Sequence, residues 1–183
     1  LTGKLRPNAK ETFAYFAQQG VTVKVISGDN PATVSMIAQQ AEIPNSEKYM
    51  DASTLETPEQ LRKAAGEYTV FGRVTPQQKK ALIEALQKKK HTVAMTGDGV
   101  NDLLAMKQAN CAIAMASGAE AASSLASLVL LDSDFSAMPG VVAEGRRVIN
   151  NIERSASLYL VKNIFTFVLS LITLFFTLPY PYT

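Results

Sequence analysis

The sequence predicts an α/β fold: a Rossmann-like parallel sheet with helices on both faces, followed by a long helical stalk that runs into one transmembrane helix. Three observations carry this reading. Short β-branched apolar runs alternate with longer segments of helical period through the first three quarters of the chain, the pattern of a parallel sheet covered by helices. Loops bearing glycine and aspartate follow directly on two of those runs, at the carboxyl ends of strands, where open parallel sheets gather their ligands. Beyond Ser155 charge vanishes, and Lys162 is the only ionic residue left.

The expected strands are Val21 to Ile26, Thr69 to Gly72, Thr92 to Met95, Cys111 to Met115 and Leu128 to Leu131. Helices fill Asn8 to Gln19, Ala32 to Ala41, Pro58 to Ala65, Pro76 to Lys88, Val100 to Gln108 and Glu120 to Ser127. Gly20 closes the first of these. Thr75-Pro76 reads as an N-cap followed by proline at the first helical position, and Gln78 completes a capping box. The stretch Pro44 to Glu59 is polar and carries proline, so it is expected as a surface excursion. After Pro139-Gly140 no proline recurs before Leu178, and only Gly145 weakly interrupts the helical run. The domain boundaries follow: residues 1–139 form the globular portion, 140–162 a stalk helix, and 163–183 a transmembrane helix with its following loop.

The low-charge stretch counted from Ser155 reaches the roughly 20 residues that cross a bilayer. Lys162 is placed to snorkel to one surface, and Tyr180 and Tyr182 suit the opposite interface. Arg146, Arg147, Arg154 and Lys162 all precede the apolar run, which puts residues 1 to about 154 in the cytoplasm. A formal net charge of +2 without a clustered basic face gives no case for nucleic acid. The run Lys88 to Lys90 is expected at a helix C-terminus, where cations complement the dipole. The single cysteine, Cys111, forms no internal disulfide and is expected in the core. No signal peptide is expected ahead of the domain.

Chemistry concentrates in three places. Thr96-Gly97-Asp98-Gly99-Val100-Asn101-Asp102 follows a strand and precedes a helix, and its carboxylates and amide are hard oxygen ligands suited to Mg²⁺. Ile26-Ser27-Gly28-Asp29-Asn30 offers a hydroxyl and backbone N–H groups to phosphoryl oxygens, with Asp29 or Asn30 capping the next helix. Lys79 lies in the first turn of a helix, where the dipole disfavours a cation; an ammonium aimed at a phosphoryl group would explain that position, and an exposed surface lysine is the alternative.

With these motifs in view, the chain resembles the P-type cation-transporting ATPases, the ion-pumping branch of the haloacid-dehalogenase-like fold. The order Leu5-Arg6-Pro7, then Ser27-Gly28-Asp29-Asn30, then Arg73-Val74-Thr75-Pro76-Gln77-Gln78-Lys79, then the Thr96 to Asp102 motif, then a stalk entering a membrane helix matches that family. The resemblance implies that the chain is the C-terminal part of the phosphorylation domain of an ATP-driven pump. It implies Asp98 and Asp102 as the Mg²⁺ ligands, supported by Asn101, with Lys79 neutralising the phosphoryl group. Ser27 and Gly28 bind its oxygens, Asp29 anchors their loop, and Arg73 joins the cofactor-binding set. ATP, a transported cation, the lipid bilayer and the remaining domains of the same pump are the implied partners.

The family's phosphorylated aspartate belongs to a DKTGT motif, which does not occur here, and no aspartate precedes Asp29. The nucleophile is therefore expected upstream, and the fragment alone is expected to be inactive. The family often has aspartate where Gly3 stands, and threonine in place of Ser27. The alternative is a membrane-anchored phosphatase of the same fold, which needs a DxD nucleophile motif near its own N-terminus. In the membrane helix, Asn163, Thr166, Ser170 and Thr173 are polar, but hydroxyls in such helices often bond back to their own carbonyls, so the ion is not readable.

Overall fold

The computed structural model describes Arg6 and residues 8–176. The chain divides into two compact units, residues 1–139 and 140–183. In the first, helix α1 (Ala9–Gln18) precedes strand β1 (Val25–Ile26), α2 (Pro31–Gln40), β2 (Tyr49–Asp51), α3 (Pro58–Glu67), β3 (Val70–Gly72) and α4 (Pro76–Lys88). Then come β4 (Ala94–Gly97), α5 (Leu103–Gln108), β5 (Cys111–Met115), α6 (Glu120–Leu125) and β6 (Leu128–Leu130). Helix α7 (Met138–Phe176) begins at the end of the first unit and makes up the described part of the second.

All strand pairs are parallel, but they form two three-stranded ladders, in the orders β1-β3-β2 and β4-β5-β6. Among the described residues β1 pairs only with β3, and β4 only with β5. Each ladder thus ends in an edge strand at β1 and at β4. Parallel neighbours cannot be joined by tight turns, which is why helices link the strands.

Helices cover both faces of β3. Val70 and Phe71 are both fully buried, and successive strand residues point to opposite faces. Val70 packs in a cluster with Val34 and Ala38 of α2, whereas Phe71 packs with Leu61 and Ala64 of α3 and Leu82 of α4. A third cluster joins Ile83 of α4 to Met95, Met106, Ala112 and Ala122, so α4 is shared between the two ladders.

Local signals placed most elements. Thr75 accepts from the N–H of Gln78 while the Gln78 side chain accepts from the N–H of Thr75, the expected capping box, and Pro76 opens α4. Gly20 at φ 72 ends α1, in the left-handed region that glycine enters without penalty. Residues 100–102 turn as a 3₁₀ helix before α5 starts.

Two expectations need correction. The stretch Pro44 to Glu59 is not only a surface excursion: Tyr49–Asp51 within it pairs in register with Val70–Gly72. Cys111 is half-buried in β5 rather than enclosed in the core. The two compact units meet at Pro139-Gly140, although helix α7 already begins at Met138. Proline in a first turn removes an N–H that has no intrahelical partner anyway, so the helix runs through it.

Arg6 finds a structural role. Its Nη1 donates to the carbonyl of Ser133 at 2.5 Å and lies 4.0 Å from the Asp134 carboxylate. Asp134 also caps the turn ahead of α7, accepting from the N–H of Ser136. These Ser136 contacts, with Arg6 adding to them, hold the Asp134 carboxyl below the usual carboxylate range.

Helix α7, considered by itself, has 39 residues, about 58 Å of helix at 1.5 Å per residue. It is long and apolar enough to cross a membrane. Thr166 donates its hydroxyl to the Lys162 carbonyl and Thr173 to that of Ser170, the back-bonding expected of hydroxyls in such a helix. Tyr180 and Tyr182 lie outside the described residues, as do Leu5, Pro7 and Gly3.

Candidate functional site

The carboxyl ends of β1 and β4 open onto one cleft of about 340 Å³ in the first unit. Ile26 and Ser27 line it from the end of β1, and Met95, Thr96, Gly97 and Asp98 from β4 and its loop. Lys79, Asp102 and Met115 complete the lining. Residues separated by up to 89 positions thus meet at the ends of strands from the two ladders.

Lys79 and Asp102 form the most protected ion pair at the site. Nζ of Lys79 donates to Oδ1 of Asp102 at 2.7 Å, and the two side chains are 10% and 13% exposed. Helix α4 sets the lysine: the Thr75 capping box and Pro76 fix its first turn, and the Lys79 N–H bonds to the Thr75 carbonyl. The anion that a lysine in a first helical turn calls for is therefore Asp102 in this structure. A single carboxylate oxygen takes this bond, and the ammonium retains further N–H groups for an anion in the cleft.

Asp98 is exposed at the mouth of the cleft, while its backbone is fixed. Its carbonyl accepts from the N–H of Ala119 at 2.7 Å. Asn101 is exposed and lies outside the cleft lining.

On the β1 side, the Ser27 backbone is held by the ladder and by the following turn, with its N–H on the Phe71 carbonyl and its carbonyl accepting from Val74. The Ser27 hydroxyl donates to Oδ2 of Asp29 at 3.0 Å and accepts from the Asp29 N–H at 3.1 Å. Asn30 rather than Asp29 caps α2, its Oδ1 accepting from the N–H of Ala32. Asp29 therefore anchors the loop, and its carbonyl also accepts from the Arg73 N–H at 2.8 Å. Gly28 and Asp29 do not line the cleft, although the space above Gly28 is open.

Arg73 stands apart from the cleft lining. Its backbone is left-handed at φ 52, and its Nη1 donates to Asp51 at 2.8 Å. Asp51 also accepts from the N–H and the hydroxyl of Ser53. Those Ser53 bonds first, and Arg73 after them, hold its carboxyl below the usual range. The partner that captures Arg73 comes from β2, the strand that sequence reasoning did not find.

The donor set fits Mg²⁺. Among the described residues no group of three or more histidine, cysteine or acidic side chains gathers, which argues against an all-protein cage. Mg²⁺ is commonly held by one or two carboxylates, with water and phosphate oxygens filling the other positions. Asp98 at the cleft mouth and the second oxygen of Asp102 are the carboxylates that could hold such an ion.

Residues 1–110 match the family model described as haloacid dehalogenase-like hydrolase. The chain belongs to that family. Among curated relatives of this haloacid dehalogenase-like chain, the probable cation-transporting ATPase exp7 of Streptococcus pneumoniae is 50% identical over 168 residues, covering 92% of this chain and 22% of that protein. The calcium-transporting ATPase CtpE of Mycobacterium tuberculosis is 50% identical over 173 residues, 94% of this chain and 22% of that protein. A calcium-transporting ATPase of Bacillus subtilis is 33% identical over 180 residues, 96% of this chain and 20% of that protein. A crystal structure of a zinc-transporting PIB-type ATPase in an E2.Pi state shares the fold, with a TM-score of 0.73 over 98% of this chain and 25% of that one, at 23% identity. The resemblance to P-type cation-transporting ATPases drawn from the motifs agrees with these relatives, of whose length the chain spans about a fifth.

Proposed function

We propose that this chain supplies the Mg²⁺-binding and phosphoryl-stabilising half of the catalytic site of an ATP-driven cation pump, the other half being an aspartate nucleophile from a segment outside these residues. One observation carries the reading: Ser27, Lys79, Asp98 and Asp102 converge on a single cleft between the edge strands β1 and β4. Among the described residues, each of those edges leaves backbone groups with which a further strand can pair. A nucleophile at the carboxyl end of such a strand faces all four side chains.

Bound at Asp98, Mg²⁺ would offset the charge on a transferring phosphoryl group and orient its oxygens. Without a cation, Asp98 at about 4 Å from an anionic phosphoryl group is repelled by roughly 4 kcal/mol at an effective dielectric of 20. Lys79 places its ammonium on the phosphoryl oxygens, and Asp102 orients it through the 2.7 Å bond. Ser27 would turn its hydroxyl from Asp29 to the phosphoryl group, with the Gly28 N–H offered to the same oxygens. Positioning and charge stabilisation do nearly all the work in such a transfer. Arg73, whose guanidinium is paired with Asp51, and Asn101, on the loop after Asp98, would act on ATP from outside the cleft lining.

The chain alone should form no acid-stable phosphoenzyme from labelled ATP. Adding an upstream segment that contains DKTGT, with the domain it belongs to, should restore labelling in the presence of Mg²⁺. Robust labelling of the chain alone, abolished by Asp29→Asn, would make this a self-contained phosphotransfer domain.

The proposal also places residues 1 to about 154 in the cytoplasm, with α7 crossing the bilayer. A cysteine introduced at Thr183 is expected to react with membrane-impermeant reagents only from the outside. Labelling from the cytoplasmic side alone contradicts the span.

A further inference from the structure

Asp98 is exposed on a loop, yet a metal ligand must be held in place. The hold comes from a turn after β5 that no motif above includes. The Ala119 N–H donates to the Asp98 carbonyl at 2.7 Å. Gly118, one residue before, lies against the Asp98 backbone so closely that a Cβ on it would stand 2.9 Å from Asp98 Cα and closer still to the Asp98 carbonyl oxygen. Its φ is not left-handed, so backbone conformation does not demand glycine there. The close approach alone demands it.

The turn is itself fastened. The Gly118 N–H bonds to the Met115 carbonyl at 2.9 Å, and the Ser117 N–H to the Ser133 hydroxyl at 2.9 Å. Ser133 is left-handed at φ 49, and its carbonyl is the one that Arg6 holds. A run of hydrogen bonds therefore leads from Asp98 through residues 117–119 to the turn ahead of α7.

We propose that the Ser117–Ala119 turn positions Asp98 for Mg²⁺, with Gly118 the positioning residue on which the placement depends. This rests on the reading of Asp98 as a magnesium ligand. Partners that orient a metal ligand without touching the metal typically contribute about tenfold or more in affinity. The added methyl of Gly118→Ala must push the Asp98 peptide away or break its bond to Ala119.

The test uses the whole 183-residue chain in detergent micelles and Mg²⁺ alone. The Mg²⁺ midpoint is read from the NMR shift of the Gly99 amide, and the clasp from hydrogen exchange at the Ala119 amide. Gly118→Ala should raise the midpoint about tenfold and expose the Ala119 amide to exchange, while the β5 amides stay protected. Ser133→Ala removes only the acceptor for Ser117 and should shift both readouts less, in the same direction, which carries the test if Gly118→Ala does not fold. Gly145→Ala, in open space on α7, should change neither. Faster exchange at Ala119 with an unchanged Mg²⁺ midpoint overturns the proposal, and so does no change in either. A wild-type chain that does not respond to Mg²⁺ instead withdraws the site reading, and the proposal with it.

Discussion

Asp98→Asn in the complete pump is expected to lower phosphoenzyme formation by about two orders of magnitude or more while leaving the fold intact, since one preorganised charge-stabilising group typically contributes that much. The expectation of an intact fold comes from geometry. The Asp98 side chain is exposed, and its structural hold is through the backbone carbonyl, which asparagine keeps. What the substitution removes is the carboxylate charge at the cleft mouth. Labelling with radioactive ATP across a Mg²⁺ titration, beside a thermal melt of each protein, separates the two effects. Near-normal labelling by Asp98→Asn at low Mg²⁺ would remove this carboxylate from the site.

Lys79→Ala is expected to do more, because Lys79 has two jobs. Its ammonium faces the cleft, and it also neutralises Asp102 inside the protein, where both side chains are about nine-tenths buried. Breaking a buried pair by removing one partner typically costs about 3–5 kcal/mol, since the remaining charge is left largely buried without its counter-ion. Lys79→Ala should therefore lose phosphorylation and lower the unfolding free energy by about that much. Replacing both partners, Lys79→Met with Asp102→Leu, offers a near-isosteric apolar pair. Such a replacement is often neutral or stabilising, so the double variant should recover most of the stability and none of the phosphorylation. Chemical denaturation measures the first quantity and ATP labelling the second. A double variant as unstable as Lys79→Ala would show that the pair is not the source of the stability, and restored labelling would show that the ammonium is not needed.

The parts of this molecule legible in the sequence are those whose signals are local. Capping at Thr75, the ending at Gly20 and the strand Cys111–Met115 each need only a few neighbouring residues, and the structure has all of them. Strand β2 was not legible because Tyr49-Met50-Asp51 carries no apolar run. What makes it a strand is its pairing with Val70–Gly72, twenty-one residues away in register. Missing that strand also hid Asp51, and with it the partner that draws Arg73 away from the cleft.

The candidate site shows the same division. Motifs placed Ser27, Lys79, Asp98 and Asp102 at strand and helix ends, and those four line one cleft. The bond between Lys79 and Asp102 joins residues on different elements, so spacing could reveal a lysine in need of an anion but not which anion answers it. Gly118 belongs to none of the motifs read from the sequence. Its need for a bare Cα comes from the Asp98 backbone, twenty residues earlier in the chain.

The reading as half of a catalytic site is tested most directly by locating the phosphate. The complete pump, labelled with radioactive ATP and quenched in acid, is cleaved and its labelled peptide sequenced. The account predicts one labelled aspartate, in a DKTGT segment outside the 183 residues, and a label that Asp98→Asn and Lys79→Ala both suppress. Label recovered on Asp29, or on any other residue of this chain, would contradict it.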